Sequence, residues 1–410
     1  MNDQTFAIMV LMAIFTTFIT TPLVMAVYKP AKRMSKAYHK YRTIERNDSN
    51  AQLRILACFH STTNIPAMIN LIEASRGTEK KEGLCVYALH LMELTERPSA
   101  ILMVHKARKN GLPFWNKGRH SDHNQIVVAF EAFQQLSRVS IRPMTAISPM
   151  TNIHEDICTS AESKGASMII LPFHKHQRFD GALETTRNDY HWVNRRVLEH
   201  APCSVGILVD RGLGGSTHVS ASNVCSTLTV LFFGGGDDRE ALAYGARMAE
   251  HPGISLTVIH FIISPEIAQE VVNVKVNIGE TSNTSEGSGD EKFLAEFKQK
   301  FLKDSSIKFE ERVVRNAAET IDVILEYSRC DLFLVGRMHE VTTLNVKSDC
   351  LELGQVGSLL TSPDFSTSAS VLVVQQYHNQ RVSNSGSSKR VVILPDEDTD
   401  VLPEEDLESK

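Results

Sequence analysis

The 410-residue sequence contains no Gly-x-x-x-x-Gly-Lys-Ser/Thr, so it lacks the loop that cradles triphosphates in ATP-driven motors. It has no Cys-x-x-Cys: the seven cysteines (Cys58, Cys85, Cys158, Cys203, Cys225, Cys330, Cys350) are odd in number and scattered. Several lie in apolar, strand-like runs, which reads as reduced core residues in the cytosol rather than a disulfide framework. Serine, cysteine and zinc catalytic patterns are absent, and no nucleophile–base pair stands out, so an enzyme has no support. A strong charge of one sign is missing as well. The balance of 43 Lys+Arg and 48 Asp+Glu gives a net charge of −5, too mild for a nucleic-acid binder.

One absence is local. Residues 6–28, FAIMVLMAIFTTFITTPLVMAVY, carry no charge at all. A helix of that length measures roughly 30 Å or a little more, enough to cross a bilayer's hydrocarbon core. A signal peptide places its positive charge before a shorter apolar run. Here Asp3 precedes the run, while Lys29, Lys32, Arg33, Lys36, Lys40 and Arg42 follow it. The positive-inside bias therefore predicts a transmembrane helix whose C-terminal side is cytoplasmic, with a basic stretch drawn to anionic membrane lipid. Thr16, Thr17, Thr20 and Thr21 sit just before Pro22, which removes a backbone donor and frees a carbonyl. Neighbouring helices and hydroxyls repair that loss in multi-helix membrane proteins, so the segment reads as the last helix of a polytopic protein.

What is present beyond residue 50 is a duplicated design. In the first copy, LRILACF (Leu53–Phe59) and LCVYALHL (84–91) read as strands, with a helix between them capped by Asn64 and carrying Pro66 in its first turn. A helix over 124–136, the strand SIRPMTAI and a helix opened by a capping box of Asn152 and Glu155 and closed by Gly165 follow. The strand SMIILP, a helix around YHWVNRRVLEH and the strand SVGILVD finish the unit. The second copy repeats the order: STLTVLFF, the turn GGGDD, the helix REALAYGARMAEH, SLTVIHFI, a helix around EKFLAEFKQKF, IKFEERVV, AAETIDVILEYSRC, DLFLVGR and ASVLVVQQ. The strands are continuous apolar runs, the mark of parallel strands buried on both faces. Strands alternating with helices predict an α/β architecture of two doubly wound parallel sheets.

The expected division is a membrane helix over 1–28, a basic juxtamembrane linker over 29–50, a first cytosolic domain over 51–211, a flexible linker over 212–223, a second cytosolic domain over 224–378 and an acidic, solvated tail over 379–410. The polar insert GETSNTSEGSGD (279–290) is expected to be a disordered loop, and the serines of SNSGSSKR are candidate phosphorylation sites.

The stretches GASMIILPFHKH…HAPCSVGILVD and SRCDLFLVGRMHE…VGSLLTS…SASVLVVQQ resemble the universal stress protein fold. Two such copies behind an apolar helix, with FAIMVLMAIFTTFITTP and FFGGGDDREALAYGARMAEHPG, are similar to plant cation/H+ exchangers, the CHX-type monovalent cation:proton antiporters. The resemblance covers essentially the whole chain. It implies exchange of K+ or another monovalent cation for H+, tuning pH and cation balance in plant endomembranes or the plasma membrane, by a homodimer formed mainly through a membrane domain. The carboxylates that alternately hold a proton or a cation would lie near the midplane of that domain. Residues 6–28 contain none, so this chain alone is not expected to transport.

A nucleotide site of the stress-protein type needs a Gly-rich turn and an acidic residue. The first copy has His60, Ser61 and Thr62 after its first strand and FHKHQRFDG after IILP, so its site reads as lost. The second keeps Gly234, Gly235, Gly236 and Asp237, with Gly336, Gly357 and Ser358 later. These are the candidate nucleotide-binding residues, against the simpler reading of a structural turn; GRMHE places His339 where a second loop glycine would stand. A membrane-anchored nucleotide-sensing module is thus the alternative to the transporter reading. No cofactor is implied. The groups His120, Asp122, His123 and His174, His176 read as solvent-exposed histidines rather than a metal site, lacking a clear fourth ligand. Among the sixteen histidines, His60, His174 and His176 are the candidates for reporting pH to an attached proton-coupled transporter.

Overall fold

The computed structural model describes residues 3–27 (side chains of 4 and 6–20), 42–46, 52–77, 83–94, 130, 133, 135, 137, 139–178, 183–185, 189–213, 226–264, 285–301, 306–339, 344, 350–362, 365 and 367–378. The basic run 29–41, His120, Asp122, His123, Cys225, the linker residues 214–223 and the tail 379–410 lie outside them.

The first element, α1 (Asp3–Val27), is helical throughout. Its described side chains lie exposed, Phe18 by 79 %, so among the described residues no protein surface covers 6–20. Thr16 and Thr17 turn their hydroxyls back onto the Met12 and Ala13 carbonyls, at 2.9 and 2.7 Å, satisfying themselves without water. Over the described residues no helix is long and apolar enough to cross a membrane, so the crossing rests on the sequence of 6–28.

The first half then runs β1 (Leu53–Phe59), α2 (Ile65–Ala74), β2 (Leu84–Glu93), β3 (Ser140–Ser148), α3 (Ile153–Lys164), β4 (Met168–Pro172), β5 (Lys175–Gln177), β6 (Leu183–Thr185), α4 (Asp189–His200) and β7 (Ser204–Val209). The second half is β8 (Ser226–Phe232), α5 (Gly236–Met248), β9 (Ile254–Ile263), α6 (Ser285–Phe301), β10 (Ile307–Val314), α7 (Ala317–Glu326), β11 (Leu332–Gly336), α8 (Gly354–Thr361) and β12 (Ser370–Gln375).

Instead of two separate sheets there is one of ten strands, in the order β10-β9-β8-β11-β12-β7-β4-β1-β2-β3. Each half is wholly parallel, as the apolar runs predict. The halves meet at an antiparallel seam where Val373 of β12 lies opposite Ile207 of β7. The last strand of a doubly wound half presents an unpaired, apolar edge; joining two such edges removes both. Pro143 sits on the outer edge strand β3, where a missing donor breaks no ladder bond on the solvent side.

Alternation within the strands sends Leu53, Ile55, Ala57 and Phe59 to one face, with Leu228, Val230 and Phe232, under α2, α5 and α6. Leu56 and Cys58 point to the other face, with Leu231 and Phe333, under α3, α4, α7 and α8. Each core thus runs across the seam. Tyr244 of α5 is fully buried and its hydroxyl meets Ser75 Oγ, just past α2, at 2.6 Å, tying the halves on the first face. The described cysteines are free, and burial pushes the Cys158 thiol up to about 11 and Cys330 to about 12, which leaves them unreactive near neutrality.

Three local expectations are corrected. Asn152 takes a helical backbone conformation and its side chain makes no cap bond; Oδ1 accepts the Thr151 hydroxyl at 2.8 Å, so the capping box does not form. Asn64 likewise makes no side-chain cap, because a short 3-10 turn over Thr62–Asn64 leads into α2 and leaves it helical. The insert 279–290 is not loop throughout: α6 begins at Ser285, and Asp290 is buried where it accepts the Gly235 N–H at 2.7 Å. Gly165 does end α3 in the left-handed conformation, at φ 62°.

Candidate functional site

In each half the strand order reverses between the first strand and the one after the third crossover, β1/β4 and β8/β11. Crevices in such sheets open at the carboxyl ends of the strands flanking that reversal. The sequence candidates fall there.

In the second half the crevice is built from the turn after β8. Gly234 and Gly235 take φ of 111° and 104°, conformations that glycine adopts readily and other residues rarely. Asp238, fully buried in the first turn of α5, accepts the N–H groups of Phe233 (2.8 Å) and Gly234 (3.0 Å) through Oδ2 and that of Gly336 (2.8 Å) through Oδ1. Asp237 accepts Met338 N–H at 3.0 Å and Gln376 N–H at 2.8 Å. Gly336 is required by this approach: a Cβ there would lie 2.4 Å from Asp238 Oδ1. The His339 Nδ1 lies 3.1 Å from Asp238 Oδ2, and its ring packs edge-on against Phe233 at 5.0 Å. Gly234, Gly235, Gly236, Asp237 and Gly336 are therefore brought together, but the Gly234 and Gly235 amides already serve the carboxylates of Asp238 and Asp290. A phosphate would have to displace them against like charge. Gly357 instead packs α8 onto β12, where a Cβ would stand 2.7 Å from Val373, and the Ser358 hydroxyl donates to the Cys350 carbonyl at 3.3 Å. Neither joins the turn.

In the first half the crevice holds histidines. His60, at the end of β1, stacks on Tyr190 of α4 at 4.1 Å. His174, two residues past β4, is only 5 % exposed, a correction to its reading as a surface histidine; the reason is the partner brought by the other half, Glu352, whose Oε1 lies 2.5 Å from His174 Nδ1. His176 points outward on the β5–β6 hairpin. The three are not one cluster.

A third feature lies between the halves, and sequence reasoning missed it. Residues 42–46, which continue the chain from the apolar run, are held by both halves. Ser204, at the start of β7, donates its backbone N–H to the Arg42 carbonyl at 3.1 Å, and the Arg42 guanidinium donates to the Tyr377 hydroxyl at 2.5 Å. Glu240 of α5 accepts the N–H groups of Ile44 at 2.6 Å and Glu45 at 3.0 Å, one on each carboxylate oxygen. Glu45 in turn receives Arg239 Nε at 3.2 Å and the Gln376 side-chain amide, and Arg239 also pairs with Asp290. Burial, set against those two N–H bonds and the Ser204 hydroxyl, pushes the Glu240 carboxyl up to about 7. A cavity of about 200 Å³ adjoins the segment, with Ile44 and Glu45 forming one wall beside Leu53, Arg247 and Phe297. The signal in the sequence was faint: a glutamate on the apolar side of an amphipathic helix, with nothing to name its partner.

Fold and site define a duplicated α/β body with self-filled crevices that grips the segment leading to an apolar helix. Comparison with known proteins assigns that body. Residues 86–213 match the family described as "Plant cation/H(+) antiporter domain", and residues 225–375 match "Plant cation/H(+) antiporter, C-terminal domain". The chain belongs to the plant cation/H+ antiporter family. It is 60 % identical over 408 residues to Cation/H(+) antiporter 18 of Arabidopsis thaliana, covering 98 % of this chain and 50 % of that protein. It is 57 % identical over 396 residues to Cation/H(+) antiporter 17 of the same plant, covering 92 % and 48 %. The chain thus spans about half the length of the curated relatives it matches. Among solved structures it is similar to a universal stress protein from Archaeoglobus fulgidus (TM-score 0.40, 14 % identity, 79 % of this chain and 96 % of that one). It is also similar to the cytoplasmic domain of a prokaryotic cation chloride cotransporter (TM-score 0.42, 11 % identity, 79 % and 95 %).

Proposed function

We propose that this chain is the C-terminal regulatory region of a monovalent cation/proton antiporter acting on K+ and H+ in cation and pH homeostasis. In this reading 6–28 is its last membrane helix and the duplicated body is cytosolic, in an integral protein of the endomembrane system or plasma membrane. Ion exchange belongs to membrane carboxylates outside 6–28, and lipid, a second copy through the membrane domain, K+ and H+ are its partners. Nucleic acid is not.

Family membership supports the class, and the single observation that carries the regulatory part is the grip on residues 42–46. A segment that follows an apolar helix in the chain is held by hydrogen bonds to both halves at once, so any change between the halves acts on that segment. Glu240, with its carboxyl near neutrality, makes the tie responsive to cytosolic pH. The nucleotide-sensing alternative draws no support from a turn whose Gly234 and Gly235 amides are taken by Asp238 and Asp290.

The test uses the whole antiporter in K+-loaded vesicles. Arg42→Ala combined with Glu240→Ala should leave exchange in place while flattening its dependence on the pH of the cytosolic face. An unchanged pH profile would remove the regulatory role from this grip.

A further inference from the structure

The first-half crevice contains three metal-ligating groups that the pH and transport readings do not use together. His174 follows β4, His191 lies in α4, and Glu352 arrives from the other half, two residues before α8. One ligand atom from each lies within 4.8 Å of the other two. Glu352 Oε1 meets His174 Nδ1 at 2.5 Å, and its Oε2 faces His191 Nδ1 at 3.4 Å. The two imidazoles converge edge to face, with centroids 5.1 Å apart.

The polar account of this cluster does not close. Glu352 is 1 % exposed, yet its Oε2 has no hydrogen-bond partner among the described residues, and neither has His191 Nδ1 opposite it. A buried carboxylate oxygen left bare is destabilising. The neighbouring cation, Arg337, spends its guanidinium on the Leu351 carbonyl and on Gln375. The two bare atoms face each other at 3.4 Å, and the third ligand, His174, lies close enough to share an ion with both residues.

We infer that His174, His191 and Glu352 form a binding site for a transition-metal ion of the Zn2+ class that stitches the two halves together. Two imidazole nitrogens and one carboxylate suit Zn2+ or its neighbours; Mg2+ and Ca2+ take oxygen ligands. Bonds of about 2.0–2.2 Å in tetrahedral array set ligand atoms about 3.3–3.5 Å apart. The His191 Nδ1–Glu352 Oε2 separation of 3.4 Å meets that already, while His174 Nδ1 lies 2.5 Å from the other oxygen, Oε1, and needs to draw back by under an ångström for the carboxylate to bind between the two rings. The His191 side chain, 26 % exposed, gives an entry path and leaves the fourth position to water. Because the ligands come from both halves, occupancy would fix the seam on this face as Tyr244 and Ser75 do on the other.

The experiment titrates the full chain, purified in detergent and stripped of metal, with Zn2+ by calorimetry and with Co2+ by visible absorption. Wild type should bind a single Zn2+ with a rise in melting temperature, and Co2+ should give the intense band of a four-coordinate site. His191→Ala keeps the buried His174–Glu352 pair, so it should fold, and should weaken Zn2+ binding by about tenfold or more, in the range typical of disturbed metal sites. Glu352→Gln should weaken it further. Equal Zn2+ affinity in wild type and His191→Ala, or a Co2+ spectrum of hexa-aquo type in wild type, overturns the site. A proton-only pair, seen as a pH-dependent melting temperature that Zn2+ does not alter, overturns it equally.

Discussion

The carboxylate of Glu240 receives the backbone N–H of Ile44 at 2.6 Å, across 196 residues of sequence, in a buried setting. That contact ties a helix of the second half to the segment emerging from the apolar run, and its strength is set by the charge on one side chain.

Glu240 titrates higher where it is buried than where it is solvated, about 7 against an ordinary value of 4.5. A released state in which Glu240 is solvated binds the proton less tightly, because the burial that raises its pKa outweighs the Ile44 and Glu45 N–H bonds that lower it, and against that state the grip is favoured at low pH. It weakens as pH rises from about 4.5 through about 7, by about 300-fold at most. Hydrogen exchange at the Ile44 and Glu45 amides, corrected for intrinsic rates, should show greater protection at pH 5.5 than at pH 8. Glu240→Gln should remove that difference.

Gly336→Ala places a methyl group at the end of β11 against the side chain and backbone of Asp238. Thermal unfolding followed by circular dichroism should show a loss of about 1–3 kcal/mol, the range for overpacking a tight site.

Asp238→Ala strips the Phe233, Gly234 and Gly336 amides and the His339 ring of their acceptor. Several buried donors left bare at once predict a loss of about 3 kcal/mol or more. Titration of the wild-type chain with ATP should produce no saturable heat, since the Gly234 and Gly235 amides are engaged by Asp238 and Asp290, whose charge opposes a phosphate.

Tyr244→Phe removes the hydroxyl at Ser75 but keeps the ring. Ser75 Oγ retains the Leu71 carbonyl at 2.6 Å, so the expected loss is modest, about 1 kcal/mol. Tyr244→Ala, which empties the ring's place in the shared core, should cost about 3–5 kcal/mol, measured by the same melts.

Sequence periodicity was enough for the elements themselves. Apolar runs such as LRILACF and DLFLVGR can be buried on both faces only in a parallel sheet under helices, so their type and order follow from local pattern. The glycine turn was legible too, because only glycine takes the φ of Gly234 and Gly235 readily. Asn152 and Asn64 show where local reading fails: the side chain that would cap a helix is free to choose another partner or another backbone conformation, and the neighbouring turn decides.

By itself the sequence determined a charge-free opening run, two copies of one strand–helix order and a phosphate-type loop already broken at His339. The joining of two sheets into one across β7 and β12, the filling of the glycine turn by Asp238, the grip of Glu240 on Ile44 and the meeting of His174 with Glu352 were decided only by the tertiary structure. Each of these couples residues from 4 to 196 positions apart through a specific approach of backbone or side chain. Burial patterns along a chain record that a residue is covered, whereas what covers it is fixed by how the halves pack.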